Sequence, residues 1–482
     1  MASPLSVHRP LAAFAFALVA GVILHAALGP EPLAWLAWIA PVPLLVLAFA
    51  IEQRWLARAA VLLATLVAAS SYSGYLGLVM PLPIVFLATP AIALQWWVVV
   101  MGTRTVVRGS RRGWTVLAYP LLWSAVDTLQ AALLPDGNWG GLAYSQADFL
   151  AMLQLASLAG SAGIVFVLCL VPSTLAVLIW HRGALPRPWR TAGATALVVL
   201  AALGLGSMRL QQPAGDATVR VGLASIDDAI GLHASPAYAG AIVDRYGTLV
   251  AQLATQGATL VVLPEKIAVV APDAVPQWQR RFGELAARHG IWLEAGIAID
   301  DGDAPRNYAW LFDPGGARVE NYEKHRLAPP ERAQRYANGE DWNVHAIDGA
   351  RYGLAICKDM HFAELGRGYG RRDAAVMLVP AWDFAYRDAW MGARMTVMRG
   401  MESGYAVVRT AREGLLSVSD AYGRVIAETP SAAMPAGASL VADLPVGAAL
   451  PTLYKYSGDV FGWLCVVAAG GMLLAGIGRA RR

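Results

Sequence analysis

The sequence predicts a helical membrane bundle joined to one extramembrane α/β domain, and three features lead there. Hydrophobic residues fill 57% of the 482 positions and charged residues only 15%, whereas a soluble chain carries roughly 25% charged residues. The long apolar runs cluster in about the first two hundred residues and the last twenty. Between them, from 217 to 446, the chain is rich in Asp, Glu, Arg and turn residues and reads as an ordinary soluble domain.

A bilayer core about 30 Å thick needs a helix of roughly 20 apolar residues. About eight runs meet that need: 11–28, 33–51, 56–78, 82–101, 114–134, 150–180, 191–208 and 460–477. Asp127 and Gln130 interrupt the fifth, and the sixth is long enough to tilt or break. The first is read as a retained span, because no signal cleavage site follows it and further spans do. The basic residues sort by loop. His8 and Arg9, then Arg54 and Arg58, then Arg104, Arg108, Arg111 and Arg112, then Arg182, Arg187 and Arg190, and finally Arg479, Arg481 and Arg482 mark every second loop. The intervening loops, around 30–32, 80–81 and 136–148, hold no Lys or Arg. By the positive-inside rule this alternation places both termini in the cytoplasm and the soluble segment on the far side. The expected organisation is a bundle of about seven helices over 1–210, an extramembrane domain over 217–446, and a last helix with a basic tail over 458–482. The net charge of +4 sits between apolar runs, so nucleic acid is excluded as a partner.

Within the soluble segment, short β-branched runs ended by turn or polar residues predict strands at 218–223, 259–264, 291–296, 352–357, 375–380 and 405–409. Helical patterns at 239–256 and 275–289 separate the first of them, which predicts an α/β sandwich with both faces covered. The segments 307–313 and 414–427 read as hairpins, so the sheet is expected to be mixed.

Three of these elements end in reactive side chains: Glu265 after 261–264, Lys324 after 320–323, and Cys357 at the end of 352–357. Ligands of open α/β sheets bind beyond the carboxyl ends of strands. A carboxylate there takes a thiol proton, and an ammonium favours the thiolate and steadies a tetrahedral oxyanion. Each residue alone also has an ordinary reading: a solvated turn Glu, a Lys in a charged run, a small buried Cys. Cys169 and Cys465 lie in apolar runs, so no disulfide framework is available to Cys357.

The segments Leu263-Pro264-Glu265, Tyr322-Glu323-Lys324 and Ile356-Cys357-Lys358-Asp359 resemble the nitrilase (carbon–nitrogen hydrolase) superfamily, with 378–382 and 398–403 as further similar stretches. That resemblance implies an αββα sandwich and a Glu-Lys-Cys triad. A nitrilase-like domain between a multi-span bundle and one last span is similar to the bacterial apolipoprotein N-acyltransferase family, as is the loop 138–146 before the sixth span. Departures from that family's pattern stand at Lys358 and Asp359 after the nucleophile, at the spacing of Glu331 from Lys324, and at 381–384, which looks closer to soluble amidases.

The resemblance implies Cys357 as nucleophile, Glu265 as base, Lys324 as oxyanion donor and Glu331 as their helper. It implies a phospholipid acyl donor, a diacylated apolipoprotein acceptor, and a place in the inner membrane with the catalytic domain on its outer face. Trp139, Tyr144, Lys358, Asp359 and Trp382 are the expected substrate-binding residues. Trp139 and Tyr144 would line a lipid entrance, since Trp and Tyr favour the interface. Lys358 either holds a lipid phosphate or is solvated, with solvation the preferred reading. A membrane-tethered amidase that passes the acyl group to water is the second enzymatic reading, and a non-catalytic scaffold or transporter is the third. No cofactor or metal is expected. The His residues lack ligand spacing, and Gly366 to Gly370 reads as a surface turn rather than a phosphate loop.

Overall fold

The computed structural model describes residues 9–480 with the exception of Ala385. His8, Arg481 and Arg482 of the expected basic flanks lie outside the described residues, as does the side chain of Arg479. The chain forms two compact units. One comprises the residues up to Arg209 and those from Ser457 onward, and the other is Leu210–Tyr456.

In the first unit, apolar sequence meets the demand that a backbone in lipid satisfy its own polar groups, and helices result. Pro10–Ala27, Arg54–Val79, Leu82–Arg108, Gly113–Leu133, Ala156–Trp180 and Pro188–Arg209 are long and apolar enough to cross a membrane. Among the described residues these six meet the measure, and apolar helix also occupies the other two expected spans, as Leu36–Ala50 and as the part Val460–Gly476 of the helix Val460–Ala480. The run 33–51 falls short because Pro41 starts a fresh helix, Pro41–Ala50, after a tight turn over Leu36–Trp38. Proline suits the first helical position, where its missing N–H costs nothing. The sixth run breaks into Leu150–Leu153 and Ala156–Trp180, the latter kinked where Gly160 adopts φ 63°.

Asp127 is buried in this unit and satisfied locally. It accepts hydrogen bonds from Asn138 Nδ2 at 3.1 Å and Ser161 Oγ at 2.7 Å. Tyr144 donates its hydroxyl to Asn138 Oδ1 at 2.9 Å, which folds the loop 138–146 around the carboxylate. Trp139 stacks on Tyr75 with ring centroids 4.9 Å apart.

The second unit holds thirteen strands among the described residues. They are β1 (Ala217–Ser225), β2 (Leu260–Val262), β3 (Ala268–Val270), β4 (Trp292–Ile299), β5 (Arg306–Phe312), β6 (Arg318–Glu323) and β7 (Val344–Ile347). There follow β8 (Ala350–Leu354), β9 (Val376–Trp382), β10 (Ala406–Arg412), β11 (Leu415–Ser419), β12 (Val425–Pro430) and β13 (Ala438–Val446). One sheet runs β13-β1-β2-β4-β5-β6, with β3 also on β4; the other runs β12-β11-β10-β9-β8-β7. In each, three central strands are parallel (β1, β2 and β4; β8, β9 and β10) and the strands that flank them, β13 and β5 in one sheet and β7 and β11 in the other, pair antiparallel.

Alternation along the strands builds the layers. Leu260 and Val262 of β2, and Ala309 and Leu311 of β5, join Leu354, Leu378, Val408 and Val418 of the other sheet in a shared core. Their neighbours Val261, Trp310 and Phe312 face the other way, onto Ile242, Leu249 and Phe282 of the helices Pro236–Thr255 and Val275–His289. Each such fully buried side chain contributes about 1.5–3 kcal/mol. The helix Tyr386–Ser403 packs on β10 and β11, with Ala363–Arg371 against it, completing an αββα sandwich.

Gly366 to Gly370, expected as a surface turn, lies inside the helix Ala363–Arg371 and is largely buried. A Cβ on Gly368 would sit 2.0 Å from the Trp342 ring, and one on Gly370 would sit 2.8 Å from the Ser403 carbonyl oxygen. These glycines serve close helix packing, which a turn-rich composition hides.

Candidate active site

Pro264 cannot donate to a sheet ladder, and β2 ends just before it. The chain then lies across β4 at Gly296, whose N–H donates to the Pro264 carbonyl at 3.2 Å while Ile267 N–H donates to the Gly296 carbonyl at 2.9 Å. This crossing delivers Glu265 and Lys266. Lys324 follows β6 and is pinned by its own N–H to the Asn307 carbonyl at 2.9 Å. Cys357 follows β8 at the start of a tight turn, Cys357–His361. Both Lys266 (φ 50°) and Cys357 (φ 45°) adopt left-handed backbone, a conformation that costs a non-glycine residue on the order of 1–3 kcal/mol. Asp359 holds the turn in place. Its carboxylate accepts from Ile356 N–H at 2.9 Å, Tyr322 hydroxyl at 2.8 Å, His325 N–H at 3.1 Å and Arg326 N–H at 2.7 Å. The Cys357 turn and the chain after Lys324 are thereby tied to one carboxylate.

Glu265, Lys324, Glu331 and Cys357 line one cavity of about 280 Å³, together with Lys266, Tyr336, Trp382, Phe384 and Arg412. Lys324 Nζ donates to Glu265 Oε1 at 2.7 Å and pairs with Glu331 Oε2 at 2.9 Å. Asn307 Nδ2 bridges the carboxylates, 2.6 Å from Glu265 Oε1 and 2.8 Å from Glu331 Oε1. Lys266 Nζ lies 2.6 Å from Glu331 Oε1, and Ala328 N–H donates to Glu331 Oε2 at 2.7 Å. Glu265 Oε2 is buried and has no hydrogen-bond partner. Cys357 Sγ lies 3.5 Å from the Trp382 carbonyl oxygen.

Burial pushes the Cys357 thiol well above its ordinary pKa, Glu265 and Asp383 push the same way, and Lys324 and Arg409 oppose them. At rest the sulfur is therefore a thiol. Burial would strip the Lys324 proton, but Glu265 and Glu331 outweigh it and hold the ammonium well above its usual range. For Glu331, burial alone would raise the pKa; Lys324 and Lys266 prevail and hold the carboxylate well below the usual value. Behind the cavity, Asp383 accepts from Arg409 Nη1 at 3.0 Å in a buried ion pair.

The sequence-expected catalytic residues thus meet in one place. Of the expected substrate-binding residues, Trp382 lines the cavity. Asp359 is fully buried and spent on its four donors, so its contact is with the protein's own loops rather than with a ligand. Lys358, read as solvated, is instead 5% exposed. Trp139 and Tyr144 belong to the other unit, where Trp139 borders a separate cavity of about 80 Å³ and Tyr144 is wholly buried. Sequence reasoning missed Asn307, Lys266, Tyr336 and Arg412. An Asn at the second position of a strand, where Asn is disfavoured, was the one available signal.

Two facing sheets with helices outside, and a buried Glu–Lys–Cys set on loops after strands, define a carbon–nitrogen hydrolase domain carried on a helical unit. The family described as carbon-nitrogen hydrolase matches residues 229–445, and that described as the apolipoprotein N-acyltransferase N-terminal domain matches residues 20–174. The apolipoprotein N-acyltransferase of Geobacter metallireducens is 26% identical over 500 residues, covering 95% of this chain and 94% of that one. That of Pseudomonas putida is 26% identical, covering 73% and 74%. An omega-amidase of Homo sapiens is 27% identical over 156 residues, covering 29% of this chain and 56% of its own. A solved Nesterenkonia AN1 amidase from the nitrilase superfamily is 22% identical with TM-score 0.40, covering 47% of this chain and 90% of that one. The chain belongs to the apolipoprotein N-acyltransferase family.

Proposed function

We propose that this protein transfers an acyl chain from a membrane phospholipid, through a thioester on Cys357, to the N-terminal amine of a diacylglyceryl-cysteine lipoprotein. The observation that carries the reading is the single cavity shared by Cys357, Lys324 and a Glu265 whose Oε2 is unpartnered. Glu265 Oε2 takes the thiol proton as Sγ attacks the ester carbonyl, and Lys324 steadies the oxyanion. The S–C bond forms, the ester C–O bond breaks, and Glu265 passes the proton to the departing oxygen, so the lyso-phospholipid leaves as an alcohol and the carboxylate is regenerated. The lipoprotein amine then attacks the thioester. Its proton passes to Glu265, the N–C bond forms, the C–S bond breaks, and the thiol is restored. Trp382, Phe384 and Tyr336 give the cavity aromatic walls, which favours keeping water from the thioester.

In this reading residues 217–446 are the catalytic domain, 1–210 and 458–482 anchor it in the inner membrane, and Glu331 orients Lys324. With the two shorter apolar stretches counted as crossings, the alternation of basic loops favours both termini in the cytoplasm and the catalytic domain on the outer face. Both substrates are lipid-anchored, so a site at the membrane surface meets them at high effective concentration.

The test is incubation of the purified protein with labelled phospholipid and a synthetic diacylated lipopeptide. The expected product is the N-acyl amide, with an acyl-Cys357 mass shift when the lipopeptide is withheld, and Cys357→Ala abolishes both. Labelled free acid in place of amide means that the acyl-enzyme passes to water, the reading favoured by the amidase-like stretch 381–383.

A further inference from the structure

The reacting groups leave part of the cavity's charge unexplained. Its lining holds three cations, Lys266, Lys324 and Arg412, and two carboxylates, Glu265 and Glu331. The two lysines are matched to the carboxylates at 2.6–2.9 Å. Arg412 is not. It is 3% exposed, its Nη1 donates to the Lys266 carbonyl at 2.7 Å, and its guanidinium lies 4.5 Å from the Trp382 ring centroid. Its Nε is buried with no hydrogen-bond partner. Glu265, Glu413 and Asp227 act on it only at longer range, and none of them pairs with it.

A buried guanidinium without a counter-charge is strongly unfavourable, and arginine does not escape by losing its proton. Among the residues that line the cavity, the cations therefore exceed the carboxylates by one, an excess that a bound anion is suited to match. Arg412 offers a flat fork of N–H donors, and Lys266 adds an ammonium to the same cavity lining, held between Glu331 and the Tyr336 ring, 4.4 Å from its centroid. A planar fork is complementary to a phosphate bearing two free oxygens.

We infer that Arg412, assisted by Lys266, forms an anion subsite that seats the phosphodiester of a glycerophospholipid acyl donor. The inference rests on the acyl-transfer reading above. In such a lipid only a short glycerol linker separates the phosphate from the scissile ester. One cavity of about 280 Å³ thus holds the phosphate at Arg412 while presenting the ester carbonyl to Cys357. The subsite sets which ester is attacked, and with it the preference for phospholipid over neutral esters.

The experiment compares wild type, Arg412→Gln and Arg412→Lys in the full-length protein, with two acyl donors of equal chain length. One is phosphatidylglycerol in vesicles and the other a neutral ester such as a p-nitrophenyl acylate. The readout is the kcat/KM for acyl-Cys357 formation, expressed as the phospholipid-to-neutral ratio, which does not depend on the fraction of folded protein. The ratio is expected to fall tenfold or more in Arg412→Gln and to recover partly in Arg412→Lys. An unchanged ratio, including equal losses with both donors, overturns the subsite. Glycerophosphoglycerol is expected to compete at least tenfold better than inorganic phosphate; equal competition overturns the lipid assignment. A wild-type protein that acylates from the neutral ester but from no phospholipid refutes the acyl-transfer reading itself.

Discussion

Gly296 offers the sharpest test of how the sandwich positions Glu265, the base of the proposed reaction. Substitution with alanine adds one methyl group in the middle of β4, on the side over which the chain carrying Glu265 passes. That Cβ would stand 2.5 Å from the Pro264 carbonyl oxygen and 2.6 Å from the Glu265 Cα, whereas ordinary contact begins at 3.4 Å. The shortfall is about 0.8 Å and both crowded atoms belong to the backbone, so no rotamer change relieves it. β4 cannot retreat, because it is paired to β5 on one side and to β2 and β3 on the other. The loop must therefore lift, taking Glu265 from contacts of 2.6 and 2.7 Å with Asn307 and Lys324. A misplacement near 1 Å in catalytic geometry costs about a hundredfold in rate, so acyl-Cys357 formation from phospholipid should slow by about that factor. Stopped-flow acylation at saturating lipid measures it, with thermal unfolding of the same sample as the control for folded protein. A folded Gly296→Ala protein that acylates at the wild-type rate would refute the claim that this crossing fixes the base.

Two further outcomes follow from the electrostatics. Glu265 raises the Cys357 pKa and Lys324 lowers it, so Glu265→Gln should make the sulfur more readily alkylated by iodoacetamide at pH 8 while acyl transfer is lost; slower alkylation would contradict the pairing. Glu331 is held below its unfolded pKa, so its contribution to stability is fully present above the ordinary glutamate value of about 4.3 and disappears as pH falls below it. Glu331→Gln should lower the Tm at pH 7 and flatten its fall below pH ~4, as followed by scanning fluorimetry; an acid limb as steep as wild type would argue against the coupling.

Much of this arrangement was legible because it follows from local rules. The runs 259–264 and 352–357 announced buried strands, and reactive side chains at their ends announced a site. What stayed hidden depends on contacts across long sequence separations. Asn307 reaches Glu265 over 42 positions, and Arg412 reaches the Lys266 carbonyl over 146. Nothing in the residues around either predicts such a meeting. Gly366 to Gly370 failed for a different reason: glycine marks both turns and tight helix packing, and only the Trp342 ring against Gly368 decides between them. In the membrane unit, hydropathy finds apolar runs but not where Pro41 restarts a helix within one.

The geometry also bears on which of two buried carboxylates works as a base, a matter on which composition is silent. Glu331 accepts from Asn307, Lys266, Lys324 and the Ala328 N–H, so both of its oxygens are occupied and its charge is matched by two ammoniums. A proton arriving there would have to displace a donor, against the stabilisation that holds this carboxylate ionised. Glu265 divides its oxygens differently. Oε1 is held by Asn307 and Lys324, which fixes the plane of the group, and Oε2 is left with no donor. A buried acceptor without a partner carries a desolvation penalty of about 1–3 kcal/mol, and a proton drawn from sulfur or from an incoming amine relieves it. In the proposed reaction, saturation suits Glu331 to a fixed role, and the single open oxygen suits Glu265 to carry the proton.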